Sequence, residues 1–117
     1  MTQITHIDPN ARMSGAVVHG GVAYLAGQVA LDAPGGSVTE QTKNIIERLE
    51  VTLAKAGTDK SKLLSASIWL SDISTFAEMN AVWDEWVKDV TAPARATVES
   101  KLAAPQFTVE IALIAAI

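Results

Sequence analysis

Three polar side chains sit within otherwise apolar stretches and therefore need a chemical explanation: Arg95 just after Pro93, Glu110 inside the last apolar run, and Asn80 within a helix-like segment. A guanidinium is a planar fork of N–H donors that can hold a carboxylate by two parallel charge-assisted hydrogen bonds, each worth about 1.5–3 kcal/mol when desolvated. Arg95 thus has the chemistry of an anchor for a small carboxylate, and equally that of a surface or intersubunit ion-pair residue. Glu110 reads as an acid projecting outward from a strand into solvent. Buried beside Arg95 in a cleft, it could instead orient or deprotonate a water, a contribution of about 10²–10⁴ in rate.

Other chemistries find little support. The chain has no cysteine, which removes disulfides, thiolate nucleophiles and Cys-ligated metals together. His6 and His19 have no acidic residue in a ligand-like spacing, so no metal is expected. Gly35-Gly36 lacks the rest of any phosphate-binding fingerprint, and no nucleotide or flavin cofactor is expected. The net charge is −4 with Lys and Arg scattered along the chain, a poor basis for binding nucleic acid. No apolar run approaches the roughly 18 residues of a membrane span. Residues 1–8 have neither the basic nor the apolar region of a signal peptide, so the cytoplasm is the expected location.

The elements that must position these side chains belong to one domain, 1–117. The runs 16–19 and 22–26 read as strands joined at Gly20-Gly21, a pair able to take the positive φ angles of a two-residue hairpin turn, with 28–31 extending the second strand. Ser37-x-x-Glu40 has capping-box spacing, and Ile45, Ile46, Leu49 and Leu53 recur at helical period until Gly57. Leu64, Ala66, Ile68 and Leu70 alternate as in a strand. Ser74 or Thr75 can cap a second helix, whose apolar stripe is Phe76, Met79, Trp83, Trp86 and Val87. Pro93 ends the helical region, and strands are expected over 96–102 and 107–117.

The last of these strands is apolar on both faces, with Phe107, Val109, Ile111, Leu113 and Ala115 on one and Ala112, Ile114 and Ala116 on the other. Two helices cover one face of a sheet. The other is expected to be buried by self-association, in line with an apolar fraction of 49% against 19% charged residues in so short a chain. The expected class is α+β, a mixed sheet covered on one face by two helices.

Read together, Arg12-Met13-Ser14-x-Ala16-Val17, Leu25-Ala26-Gly27-Gln28, Glu40-Gln41-Thr42, Phe76-Ala77-Glu78-Met79-Asn80, Ala92-Pro93-Ala94-Arg95-Ala96-Thr97-Val98 and Val109-Glu110-Ile111 resemble, in order and over nearly the whole chain, the Rid/YjgF proteins. This family of reactive intermediate deaminases is also named endoribonuclease L-PSP; Asn80-Ala81-Val82-Trp83 with Trp86 resembles its YoaB-like branch. The resemblance implies a chorismate-mutase-like homotrimeric barrel whose intersubunit clefts bind small carboxylates, and cofactor-free hydrolysis of 2-imino or enamine acids to 2-keto acids and ammonia. It makes Arg95 the carboxylate anchor and Glu110 the acid that positions or activates water. Asn80 and Gly27 border the pocket, and the backbone from Arg95 to Thr97 supplies further hydrogen bonds. Three pocket positions depart from the archetype: Met13 replaces a Tyr, Ala26 a Ser, and Thr97 a frequent Cys. Losing the two hydroxyls points to a more apolar substrate, a weaker activity, or a non-catalytic module that binds a small carboxylate.

Overall fold

The computed structural model describes residues 3–117; Met1 and Thr2, part of the stretch weighed as a leader, lie outside the described residues. Strands β1 (Thr5–Ile7), β2 (Ala16–His19), β3 (Val22–Leu25) and β4 (Gln28–Val29) precede helix α1 (Val38–Lys55). Then follow β5 (Leu63–Leu70), helix α2 (Phe76–Val87), β6 (Ala94–Glu99) and β7 (Val109–Ala116). All seven strands join one mixed sheet of order β1-β2-β3-β7-β5-β6, with β4 also on β7. Only β5 and β6 run parallel, which the α2 crossover between them makes possible.

Period two along β7 divides the sheet into two unlike faces. Val109, Ile111, Leu113 and Ala115 are at most 1% exposed and pack under the helices, whereas Ala112, Ile114 and Ala116 look out from the open side. The expected α+β class and the single helical layer are therefore present. Ile45, Leu49 and Leu53 of α1, Met79, Trp83 and Trp86 of α2, and Ile68 and Leu70 of β5 complete the core. Trp83 and Trp86 meet edge to face with centroids 5.4 Å apart, and the Trp86 indole donates to Glu50 of α1 at 2.8 Å, which ties the two helices together.

The β2–β3 turn and both ends of α1 form where they were expected. Gly20 and Gly21 take φ of 60° and 78° in the β2–β3 turn. Ser37 Oγ accepts from the Glu40 N–H, and the Glu40 carboxylate accepts from the Ser37 N–H. At the other end of α1, Gly57 has φ 83°, its N–H donates to the Ala54 carbonyl, and the Thr58 N–H returns to the Leu53 carbonyl, a Schellman close. Gln41 is fully buried: its amide donates to the Gly36 and Gln106 carbonyls and accepts from the Thr108 N–H, so one side chain fastens two loops at the entry to β7.

Several details differ from expectation. Strand β1 has only three residues, too short for a readable period. The run 28–31 does not extend β3; the chain breaks at Ala26–Gly27, and Gln28–Val29 pairs with β7 instead. A register shift between Leu63 and Ser65 turns Leu64 outward, 48% exposed, and Leu63 takes the buried place expected of it. Neither Ser74 nor Thr75 caps α2 by its side chain; Asp72 caps a short 3-10 turn, Ile73–Thr75, that leads into the helix. Phe76 is 40% exposed and stands outside the core stripe. Strand β6 starts at Ala94 and ends at Glu99, while β7 starts at Val109, so Phe107 and Thr108 precede it.

Candidate functional site

Arg95 enters on β6, an outer strand of the sheet, opposite Ala66 of β5. Since cross-strand partners share a face, its side chain lies on the helix-covered side, where α2 meets it. Arg95 Nη1 donates to Asn80 Oδ1 at 2.8 Å, and its Cζ is 5.6 Å from the Phe76 ring centre and 5.5 Å from that of Trp83. Arg95 is half-buried, and no Asp or Glu among the described residues forms an ion pair with it. Within one protomer it is therefore not the salt-bridge residue that its sequence context also allowed. Guanidinium donors beyond the one given to Asn80 are left for a planar anion.

Thr97 follows two residues along the same face of β6, about 7 Å further on. Its Oγ1 is buried with no hydrogen-bond partner among the described residues, an arrangement that calls for an explanation in a folded protein. Asn80 and Arg95 are thus joined directly, and Thr97 shares the Arg95 face of β6.

Glu110 does not join them. It is opposite Trp69 of β5 and Val29 of β4, and Trp69 is in turn opposite Val98, all on the open face of the sheet. The expectation that Arg95 and Glu110 could share a cleft is not met inside one protomer, because the pleat sends residues 95 and 110 to opposite sides. Half-buried Glu110 lies instead against Gly27: a Cβ built on Gly27 would overlap Glu110 Oε2. A methyl at residue 27 would push the Glu110 carboxylate out of this position. Ala26, next to Gly27, is half-buried, and Met13 is 49% exposed on the loop between β1 and β2.

The segment carrying Gly27 is held to α1 by a polar network. Arg48 donates from Nε to Gln28 at 3.2 Å and from Nη1 to Asp32 at 3.0 Å, and Asn44 donates to the same Asp32 oxygen at 3.0 Å. The Asn44 hydrogen bond first, and then Arg48, hold the Asp32 carboxyl below its usual range.

Surface clefts of about 390, 450 and 630 Å³ among the described residues are lined by neither Arg95 nor Glu110. Among the described residues, no three His, Asp or Glu side chains are grouped to hold a metal ion, and no helix is long and apolar enough to cross a membrane. Sequence reasoning missed Phe76 and Trp83 as neighbours of Arg95. The available signal was their spacing from Asn80, four residues before and three after, which places all three on one side of a helix.

Comparison with known proteins agrees with this architecture. The family model described as Endoribonuclease L-PSP matches residues 3–117. A "RutC family protein" of Haemophilus influenzae is 46% identical over 112 residues, covering 96% of this chain and 97% of that protein. "RutC family protein YoaB" of Escherichia coli K12 is 41% identical over 115 residues, covering 97% and 98%. The crystal structure of NMB1025, a YjgF family member from Neisseria meningitidis, superposes with a TM-score of 0.93 at 38% identity, covering 97% of this chain and 94% of the other.

Proposed function

This chain belongs to the endoribonuclease L-PSP family, and we propose that it hydrolyses reactive 2-imino or enamine acids to 2-keto acids and ammonia in clefts formed between copies of itself, three to an assembly. The observation that carries this reading is Arg95: a half-buried guanidinium fixed by Asn80, with no carboxylate partner among the described residues. Such a group binds a substrate carboxylate in the plane of its fork. Glu110, on the opposite face, would reach that substrate from a second copy, which gives the apolar open face of the sheet a partner as well.

The chemistry asks for little beyond placement. Water adds through its oxygen to the carbon of the protonated imine, and Glu110 accepts the proton that the water gives up. The same carboxyl returns that proton to the nitrogen. As the carbon–nitrogen bond breaks and ammonia leaves, the hydroxyl gives its own proton to the Glu110 carboxylate and its oxygen closes the new carbonyl of the 2-keto acid; the carboxyl then passes that proton to the departing ammonia. Fixing water and substrate in one dry cleft removes much of the entropic barrier. No cofactor enters this sequence.

The test is to generate imino acids in situ with an amino-acid oxidase and follow their loss. Wild type should accelerate hydrolysis over buffer, and Arg95→Ala should not; equal rates for the two proteins, or no acceleration by wild type, would refute the reading.

A second reading, a non-catalytic module that binds a metabolite carboxylate, is favoured by exposed Met13 and by Ala26, positions that carry no hydroxyl. It is distinguished by tight keto-acid binding, abolished in Arg95→Ala, without turnover of any imine. The nuclease activity in the family's name has weaker support here, since four of the nine Lys and Arg residues are already paired with Asp or Glu. Steeply salt-dependent RNA binding would revive it.

A further inference from the structure

Phe76, Asn80 and Trp83 occupy one side of α2 above Arg95, and their spacing fixes where the guanidinium can be. Seven residues of helix advance about 10.5 Å, roughly twice the 5.5 and 5.6 Å that separate Arg95 Cζ from the two ring centres. The guanidinium therefore lies between the rings, with Asn80 midway along the helix holding Nη1. Asn80 alone would fix one nitrogen and leave the plane of the fork free to turn about that bond. Two aromatic flanks remove that freedom, and their negatively polarised faces stabilise the cation without neutralising it, as a carboxylate would.

From this geometry we infer that Phe76 and Trp83 are positioning residues that set the plane of the Arg95 guanidinium, keeping it charged, unpaired and pre-oriented for a planar carboxylate. The inference rests on the reading of Arg95 as a carboxylate anchor and assigns it a support on α2. It also gives a reason for Phe76 to stand 40% exposed at the start of a helix whose Met79, Trp83, Trp86 and Val87 are buried. An apolar ring left in water has a use if a cation needs its face.

Phe76 is the position to test, because Trp83 is 3% exposed and its replacement would also disturb the core. Phe76→Leu retains apolar volume and removes the ring, while Phe76→Tyr restores a ring. In side-chain NMR of the intact protein, ring currents should shift the Arg95 guanidinium protons upfield of those of exposed Arg12. Phe76→Leu should move them back towards Arg12, and Phe76→Tyr should not. Calorimetric titration with 2-oxobutanoate should show about two- to five-fold weaker binding by Phe76→Leu, restored in Phe76→Tyr, with 2-oxobutanamide as the uncharged control. Arg95 signals that coincide with those of Arg12, or Phe76→Leu binding as tightly as wild type while Arg95→Ala fails to bind, would overturn the clamp and leave the anchor standing. If wild type fails to bind 2-oxobutanoate, the anchor reading falls, and the NMR arm alone decides whether the rings hold the guanidinium.

Discussion

The two sides of the sheet are built from the same strands and have opposite needs. Under the helices, every β7 side chain from Val109 to Ala115 that points inward is buried, and Arg95, Asn80 and Thr97 sit at the margin of that core. On the open side, Glu110, Ala112 and Ile114 have no covering layer, and Tyr24 and Val98 are 48% and 49% exposed. The helix side buries its apolar core within a single copy; the other holds the complementary half of the proposed chemistry and a surface that lacks a partner. If Arg95 and Glu110 act together as proposed, assembly is a condition of activity, because the pleat sends the two side chains to opposite sides of the sheet within one chain.

The strongest challenge to this comparison is complementation. Arg95→Ala and Glu110→Gln are each expected to lose at least about 10²-fold in imine hydrolysis. If each cleft takes Arg95 from one copy and Glu110 from another, denaturing and refolding an equal mixture should restore up to about a quarter of wild-type activity, since random assembly makes that fraction of clefts intact. A mixture as inactive as its components would place both groups in one copy or in none.

Adjacent residues of β7 sharpen the contrast further. Leu113→Ala, inside the core, should cost about 2–5 kcal/mol in chemical denaturation. Ile114→Ala, on the open side, should leave folding of the chain nearly unchanged and shift sedimentation towards smaller species. Equal effects of the two substitutions on unfolding, with no change in assembly, would contradict the difference between the faces.

Gly27→Ala tests the close approach to Glu110. Because the added methyl would displace the carboxylate, turnover should fall about tenfold or more with little change in melting temperature, a split between activity and stability that a packing defect would not give. The smallest effect concerns the network behind Gly27. Asp32 titrates below its usual value of 3.8 in the folded chain, so its contribution to stability is fully present above that value and is lost as the pH falls through the lowered one. Asp32→Asn should therefore lower stability slightly at neutral pH, and its difference from wild type should vanish as the pH falls through the lowered value; equal stability of the two proteins at neutral pH would show that the pairing contributes nothing.

Much of this architecture was legible in the residues. Ser37 and Glu40, Gly57, the Gly20-Gly21 turn and the two-sided apolar pattern of 109–116 each encode local geometry that the fold retains, because they act within a few residues of themselves. Arg95, Glu110 and Asn80 stood out as polar groups in apolar surroundings. Less legible were features that depend on distant partners. A bulge turned Leu64 outward, and Gln28-Val29 found β7 rather than continuing β3. Phe76 and Trp83 looked like ordinary core spacing until β6 placed a cation between them. The side of the sheet that Glu110 would occupy relative to Arg95 depended on strand pairing, which a period-two pattern does not supply.

The buried amide of Gln41 has a further consequence. It faces two carbonyl oxygens with its nitrogen and one N–H with its oxygen, so its orientation is dictated by the backbone around it. Exchanging that nitrogen for oxygen, as Gln41→Glu does, would confront the Gly36 and Gln106 oxygens with a third oxygen in a site closed to water. A change of one heavy atom would turn a latch between the amino- and carboxy-terminal halves of the chain into a wedge.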